Sequence, residues 1–104
     1  MMEGFDHKKR IDDLVKGNRV MVFMKGTPED PVGSENARAI SLLEENEVQF
    51  MWMNVDDVYA MENALIDYFE TNELPLVVVD GKMIGSTPSL QTMHDEGTLR
   101  FILG

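Results

Sequence analysis

The sequence predicts an α/β protein with one mixed four-stranded sheet and helices on both of its faces. Two short apolar runs rich in β-formers, "RVMVFM" and "VQFMWMNV", suit buried parallel strands, which lose contact with water on both faces. A third segment, "LPLVVVDGKMIGS", joins two further strands through Asp80-Gly81, a favoured two-residue hairpin turn. A parallel pair beside an antiparallel hairpin makes a mixed sheet, and helical patterns lie between the strands.

Two helices are predicted before and between the apolar runs. The first extends from Phe5 to Val15 and ends at Gly17-Asn18. The second begins after a Gly- and Pro-rich loop, with Ser34 as the residue that caps its N-terminus. The apolar residues of these two helices are Ile11, Leu14 and Val15 in the first, and Ala37, Ala39, Ile40 and Leu43 in the second.

Two more helices follow the second apolar run. One carries apolar residues at the i, i+3, i+4, i+7, i+8 spacing of an amphipathic helix, namely Met61, Ala64, Leu65, Tyr68 and Phe69. The last begins near Pro88, which suits a first helical turn, and Leu90 and Met93 face inward. Gly97 ends it, and the tail docks through Leu99, Ile102 and Leu103.

Length and charge limit the classes of function. A chain of 104 residues forms a single domain over 1–104, and no apolar run approaches the ~20 residues that span a bilayer. The N-terminal segment lacks a secretory signal, so we expect a cytoplasmic protein. The net charge of −10 repels phosphate backbones and anionic lipids, so neither nucleic acid nor a membrane is an expected partner.

The absence of cysteine excludes several chemistries outright. With no cysteine, the chain has no disulfide, no catalytic thiolate and no thiolate ligand for zinc or an iron–sulfur cluster. Nine methionines would suit a copper site only if they clustered on an exposed loop, but those in the strands alternate and are expected to fill the core. The paired acidic residues are expected to be solvated, so no metal or cofactor is predicted.

Three blocks of sequence resemble the monothiol glutaredoxins, a class named for its Cys-Gly-Phe-Ser active site. They are "VFMKGTPEDP", "LPLVVVDGKMIG" and "TMHDEGTL", and the match runs without gaps from about Val20 to Leu103. The resemblance implies a thioredoxin-like fold with an extra N-terminal helix. It also implies a cis peptide bond between Leu74 and Pro75.

The catalytic centre of that family is missing from this chain. Where the family continues Arg-Cys-Gly-Phe-Ser, this sequence has Val32-Gly33-Ser34-Glu35-Asn36, which places Gly33 at the position of the cysteine. The neighbours of the cysteine are replaced as well, so the whole motif differs. The resemblance therefore implies a redox-inactive protein that is not an enzyme and has no catalytic residue. Ser34 near Lys25 is expected to serve the helix end rather than act as a nucleophile.

The residues that hold glutathione in the family are only partly retained. The resemblance leaves Lys25, Leu74, Pro75 and Thr87 as residual ligand-binding positions. Elsewhere the family's cationic contacts are reversed: Glu62 replaces a usual arginine and Asp67 replaces a lysine. The family's Gly-Gly-x-Asp turn has become Gly85-Ser86-Thr87-Pro88 and has lost its aspartate.

These losses predict that glutathione binds weakly or not at all. Each charge reversal costs about 1 kcal/mol or more at an effective dielectric near 20. Pro88 also removes an N–H from a helix N-terminus. Together these changes weaken affinity by roughly 100-fold or more.

Three hypotheses of function follow. The first is a binding or regulatory module whose surface around Lys25, the loop 26–36, Leu74-Pro75 and 85–88 takes a neutral or basic peptide. The second is a residual role in glutathione or iron–sulfur cluster homeostasis, with Lys25 and ligands supplied by a partner. A third, enzymatic chemistry without a thiol, has the least support. The first is favoured because the predicted rim is acidic, with Glu29, Asp30, Glu35, Glu62 and Asp67.

Overall fold

A computed structural model describes residues 6–104 of the chain. Its elements, in chain order, are α1 (His7–Gly17), β1 (Val20–Met24), β2 (Gly26–Thr27), β3 (Asp30–Pro31), α2 (Gly33–Glu45), β4 (Met51–Asn54), a 3₁₀ turn (Val55–Asp57), α3 (Met61–Phe69), β5 (Leu76–Val79), β6 (Lys82–Gly85), α4 (Thr87–Asp95) and α5 (Leu99–Leu103). Among the described residues, no helix is long and apolar enough to cross a bilayer.

The sheet has the order β4-β1-β5-β6. β1 is parallel to β4, with Met21 opposite Met51, and antiparallel to β5, with Val22 opposite Val77. β5 and β6 form the antiparallel hairpin. The predicted mixed four-stranded sheet is confirmed, and all five residues of β1 are buried because helices cover both faces of this inner strand.

Two apolar clusters lie on the two faces of the sheet. One packs α1 and α3 against alternate strand residues, with Phe23, Ile11 and Leu65 nearly or fully buried. The other packs α2, α4 and α5 against the opposite face, with Leu42 and Leu90 fully buried. Each such side chain contributes about 1.5–3 kcal/mol relative to an exposed position.

The β5–β6 hairpin turns through Asp80-Gly81, as predicted. Both residues have positive φ, 52° and 80°, the conformation of a type I′ turn. Val79 and Lys82 pair directly on either side of them, so the loop contains two residues. Glycine suits the second position because it adopts positive φ without steric cost.

Helix α1 forms the predicted N-terminal addition, although its predicted start at Phe5 lies outside the described residues. It begins at His7 because the Asp6 side chain accepts a hydrogen bond from Lys9 N. The Tyr68 hydroxyl donates to Asp12 Oδ1 at 2.8 Å, which fastens α1 to α3.

Four local predictions were wrong. β4 begins at Met51 rather than at residue 48. In the register that sets Met21 opposite Met51, residues 48 and 49 would lie opposite residues 18 and 19, which precede β1. Ser34 does not cap α2: the helix begins at Gly33, its N-cap residue is Val32, and no side chain caps it. Ile102 stays 36% exposed while Leu99 and Leu103 on the same short helix are buried.

The fourth wrong prediction concerns the buried face of α2. Ala37 is only half-buried, whereas Leu42 is fully buried and Asn36 is 6% exposed. The predicted face is right at Ala39, Ile40 and Leu43, but it did not include Leu42 or Asn36.

Candidate functional site

The loop between β1 and α2 is a structured ribbon. β2 and β3 pair across it, with Gly26 opposite Pro31. Gly26 has φ +86°, and a Cβ there would lie 2.5 Å from the Asp30 carbonyl oxygen, so only glycine permits this close approach. Gly26 N also donates to Asn54 Oδ1 at 3.1 Å, which ties the ribbon to the end of β4.

Asn36 closes the loop from inside the protein. Its side-chain oxygen accepts from Lys25 N at 3.1 Å, and its amide nitrogen donates to the Val32 carbonyl at 2.9 Å. Val32 N in turn donates to the Lys25 carbonyl at 3.1 Å. Both ends of the loop are therefore fixed by one buried amide, a role that the sequence analysis missed. Its spacing from Ile40 and Leu43 on the buried face of α2 was the available signal.

Gly33 is the first residue of α2 and lies at the position of the family's cysteine. It has φ +80°, and a Cβ built there would meet no atom within 4 Å. The position is exposed and carries no side chain, so Gly33 contributes only backbone to the helix N-terminus. Nothing at this point can act as a nucleophile.

Lys25, the retained cation of the site, pairs with Glu62. Its Nζ lies 3.5 Å from Glu62 Oε1, and both side chains are part-exposed, at 38% and 45%. An ion pair this exposed contributes about 0–1 kcal/mol to stability, but it offsets the positive charge of Lys25. The carboxylate predicted to replace a cationic contact therefore lies directly beside the one cation that remains.

Asp67 does not share this position. It lies five residues after Glu62 on α3, which rotates it by about 140° around the helix axis. It is exposed, and no ion pair joins it to Lys25 among the described residues. Of Glu62 and Asp67, the two predicted charge reversals, only Glu62 lies next to Lys25.

Leu74 and Pro75 enter β5 beside this pair. The peptide bond between them is cis. Pro75 is buried and Leu74 is half-buried against the α1–α3 cluster. The next residue, Leu76, pairs with Phe23 of β1, so the central strands hold this backbone next to the Lys25 loop.

Thr87, predicted as a residual ligand-binding position, uses its side-chain hydroxyl within the fold. It is 4% exposed, and its hydroxyl donates to the Glu35 carbonyl at 2.7 Å. Ser86 is 7% exposed and donates to Glu73 Oε1 at 2.7 Å. These bonds fasten the start of α4 to α2 and to the segment before Pro75, and they occupy the hydroxyls of both residues.

The remaining charges around the site are acidic. Glu29, Asp30 and Glu35 are exposed on the loop and the first turn of α2. Within residues 6–104, no group of three or more His, Asp or Glu side chains is arranged to hold a metal ion. His94 lies elsewhere, with Nε2 3.7 Å from Glu45 Oε1 near the far end of α2.

The sequence has clear relatives, although no family model matches it. It is 29% identical to an uncharacterised monothiol glutaredoxin ycf64-like protein of Synechocystis, over 92% of this chain and 90% of that protein. It is also 29% identical to the mitochondrial monothiol glutaredoxin-S15 of Arabidopsis thaliana, over 88% of this chain and 54% of that protein. The chain thus spans about half of that relative, and smaller shares, 20% and 39%, of rice glutaredoxin-S11 and fission yeast glutaredoxin-4.

Solved structures give the same result for the fold. The solution structure of a truncated Trypanosoma brucei 1-C-Grx1 matches with a TM-score of 0.85 and 26% identity, over 96% of this chain and 91% of that one. A buckwheat glutaredoxin–glutathione complex matches with a TM-score of 0.82 and 23% identity, over 93% and 86%.

The sheet order, the flanking helices and these matches define a thioredoxin-type fold of the glutaredoxin class. Within that class, the chain is a degenerate relative of the monothiol glutaredoxins that has no cysteine.

Proposed function

We propose that this protein is a redox-inactive, glutaredoxin-like binding module that recognises a neutral or basic peptide segment. The binding surface, called here the cis-proline surface, comprises the loop 25–36, Leu74-Pro75 and residues 85–88. The Lys25–Glu62 ion pair carries the proposal, because it offsets the cation on which an anionic ligand would depend.

The chemistry of the site supports redox inactivity. Thiol–disulfide exchange requires an attacking thiolate, and this chain contains no cysteine. Gly33 offers only an exposed helix N-terminus at the family's reactive position. The purified protein should therefore give no glutathione-coupled disulfide reduction above the blank.

The charge of the rim supports a basic or neutral ligand. Glu29, Asp30 and Glu35 lie on the loop and helix that border the surface, and Glu62 lies beside Lys25. Opposite charge across a contact mainly sets specificity and association rate, so an acidic rim selects against anionic ligands such as glutathione. An extended peptide could also pair with the backbone that Leu74 presents before β5.

Glu62→Gln tests the proposal directly. Removing this carboxylate should raise the affinity for reduced glutathione by up to about fivefold, since the exposed pair is worth about 1 kcal/mol at most. The same change should weaken binding of a lysine-rich peptide. Glu96→Gln, which alters an exposed carboxylate at the end of α4, is the control and should change neither affinity.

Chemical-shift titration of ¹⁵N-labelled protein with glutathione and with the peptide measures both effects. The proposal predicts that glutathione perturbs the unaltered protein little at millimolar concentration. Tight binding of glutathione around Lys25 would contradict it. That result would favour instead a role in glutathione or iron–sulfur homeostasis.

A further inference from the structure

The two edges of the sheet differ in how they are protected. β6 has exposed Lys82 within the strand, an irregular pairing with β5 between Val77 and Val78, and a close contact of Gly85 with Ser89 of α4. Charges, bulges and covering helices are the usual means by which a sheet edge avoids pairing with other chains. β4, at the opposite edge, has no charged residue within Met51–Asn54.

The exposed edge of β4 is also apolar. Met51 is 48% exposed and Trp52 is 39% exposed, and successive strand residues project from opposite faces of the sheet. Within the described part of the chain, β4 pairs with β1 alone. Its outer backbone groups, with an apolar side chain on each face, therefore offer a template for one more strand.

Acidic residues flank this strand on both sides. Glu44 in the last turn of α2 and Glu47 just after the helix precede the strand, and Asp56 and Asp57 follow it in the 3₁₀ turn. Glu45 is not counted with them, because its carboxylate pairs with Arg38 at 3.2 Å. A second copy of the chain paired along this edge, in either direction, would bring carboxylates against carboxylates. The net charge of −10 adds to this repulsion, so self-pairing is disfavoured.

The same charges suit a segment with basic ends. Beyond the 3₁₀ turn, a surface cleft of about 470 Å³ is lined by Asp56, Tyr59 and Glu62, with Val55, Val58, Ala60 and Asn63. Tyr59 is 94% exposed, so its ring is available to an arginine or lysine side chain. A cationic residue at one end of a docked strand would meet the Tyr59 ring and the Asp56 carboxylate there, whereas Glu62 already pairs with Lys25.

We propose that the outer edge of β4 binds an extended peptide segment with an apolar centre and Lys or Arg at both ends, which pairs as a fifth strand. Met51 and Trp52 contact its apolar centre, and the acidic flanks contact its ends. This site follows the edge of the sheet, whereas the cis-proline surface lies at the strand ends. The inference does not depend on the proposed function.

Trp52, the single tryptophan of the chain, provides the first readout. The probe is a synthetic peptide, Lys-Arg-Thr-Val-Ile-Val-Thr-Lys-Arg, which has no aromatic residue. Its binding should shift the Trp52 emission in a saturable way and slow amide hydrogen exchange in Met51–Asn54. A peptide with proline in place of the central isoleucine lacks a strand N–H and should bind at least about tenfold more weakly.

A matched pair of variants separates the two edges of the sheet. Met51→Lys places a charge on the β4 edge and should weaken binding by about tenfold or more. Met83→Lys makes the same change on β6, where Met83 is 41% exposed, and should leave affinity within about twofold. Asp56→Lys combined with Asp57→Lys should weaken binding and reduce its salt dependence.

Three results would overturn the inference. The first is an unchanged Trp52 emission together with unchanged exchange in β4. The second is equal affinity for the proline peptide, or an affinity that Met51→Lys does not change while the chemical-shift changes are confined to Lys25 and its loop. This last result would leave the proposed function intact. The third is a concentration-dependent dimer in sedimentation that Met51→Lys abolishes, which would assign the edge to a second copy.

Discussion

The inner strands and the loop 25–36 differ in how much of the glutaredoxin pattern they retain. In β1 and β5 every residue is buried, and the pairing of Phe23 with Leu76 retains the sheet of a glutaredoxin. In the loop, the position of the family's cysteine is Gly33, exposed and without a side chain. Apolar burial therefore sustains this fold, and the scaffold does not depend on a reactive group at position 33.

The loop 25–36 is nevertheless held in a defined conformation although it lacks the family's cysteine. Asn36 fixes both ends of it, Gly26 allows its close approach to Asp30, and Thr87 ties α4 to the first turn of α2. Its order comes from hydrogen bonds of buried polar groups rather than from apolar contacts. Substitutions in the two regions should therefore differ in size and in kind.

The largest effect is expected in the inner strands. Phe23 is fully buried, with its ring centroid 6.3 Å from that of Phe69, so Phe23→Ala should lower the free energy of unfolding by about 3–5 kcal/mol. Phe101 is 80% exposed, and Phe101→Ala should change it by about 0.5 kcal/mol or less. Urea unfolding measures the free energy of unfolding of both variants. An equal decrease in the two would contradict the view that the inner strands provide most of the stability.

A smaller and more local effect is expected in the loop. Asn36→Ala leaves Lys25 N and the Val32 carbonyl without their partner and should cost about 1–3 kcal/mol. Hydrogen exchange at the Lys25 amide should accelerate as well. Asn72→Ala, at an exposed position, is the control and should leave both quantities unchanged. An unaltered Lys25 amide in Asn36→Ala would show that the loop is held by other contacts.

The smallest effect is expected at α1, the addition to the core. Hydrogen bonds from Lys16 and then from Tyr68 hold the pKa of Asp12 below its usual value. Because the folded-state pKa is the lower one, this stabilisation is present above the ordinary aspartate pKa, about 3.9, and is lost as pH falls through the folded-state value. The stability difference between the unaltered protein and Asp12→Asn should therefore shrink below about pH 4.

Asp57→Asn, at an exposed position of the 3₁₀ turn, provides the comparison for Asp12→Asn. Its effect on stability should be smaller at neutral pH, since no helix is fastened through it. A difference for Asp12→Asn that stays constant from pH 7 to pH 2 would contradict the role of the Asp12 carboxylate in holding α1 to α3.

The sequence predicts the inner strands better than the loop for a physical reason. Apolar runs such as 20–24 and 76–79 are stable only when buried, which predicts inner strands. Asp80-Gly81 favours positive φ at both residues, which predicts a two-residue hairpin turn. The ribbon of β2 and β3 depends on hydrogen bonds specific to this loop, for which residue type gives no periodic signal. The spacing of Asn36 from Ile40 and Leu43 indicates its burial, but its hydrogen-bond partners, Lys25 N and the Val32 carbonyl, are visible only in the structure.

The candidate site was predicted in part. The resemblance placed Lys25 and Glu62 in one site, and they lie 3.5 Å apart. It could not show that Asp67 lies on another side of α3 or that the hydroxyl of Thr87 is occupied by the Glu35 carbonyl. Helix rotation and side-chain orientation decide such points, and the spacing in an aligned motif does not reveal them.

Gly33→Cys tests most directly whether the site lacks glutathione binding as well as the thiol, or lacks the thiol alone. A Cβ at Gly33 meets no atom within 4 Å, and the strain of its positive φ is about 1–2 kcal/mol, so the variant should fold. Its thiolate can attack oxidised glutathione, which forms a protein–glutathione disulfide and releases one glutathione thiolate. Lys25 and the helix N-terminus should favour the thiolate form.

The measurement is the rate of this glutathionylation, followed by intact mass, against the concentration of oxidised glutathione. We predict a rate that rises linearly into the millimolar range, because Glu62 offsets the positive charge of Lys25 and oxidised glutathione is not bound before it reacts. Adding Glu62→Arg should increase the rate, with a gain that diminishes in salt. Saturation at submillimolar glutathione with Gly33→Cys alone would show an intact binding site and contradict the account.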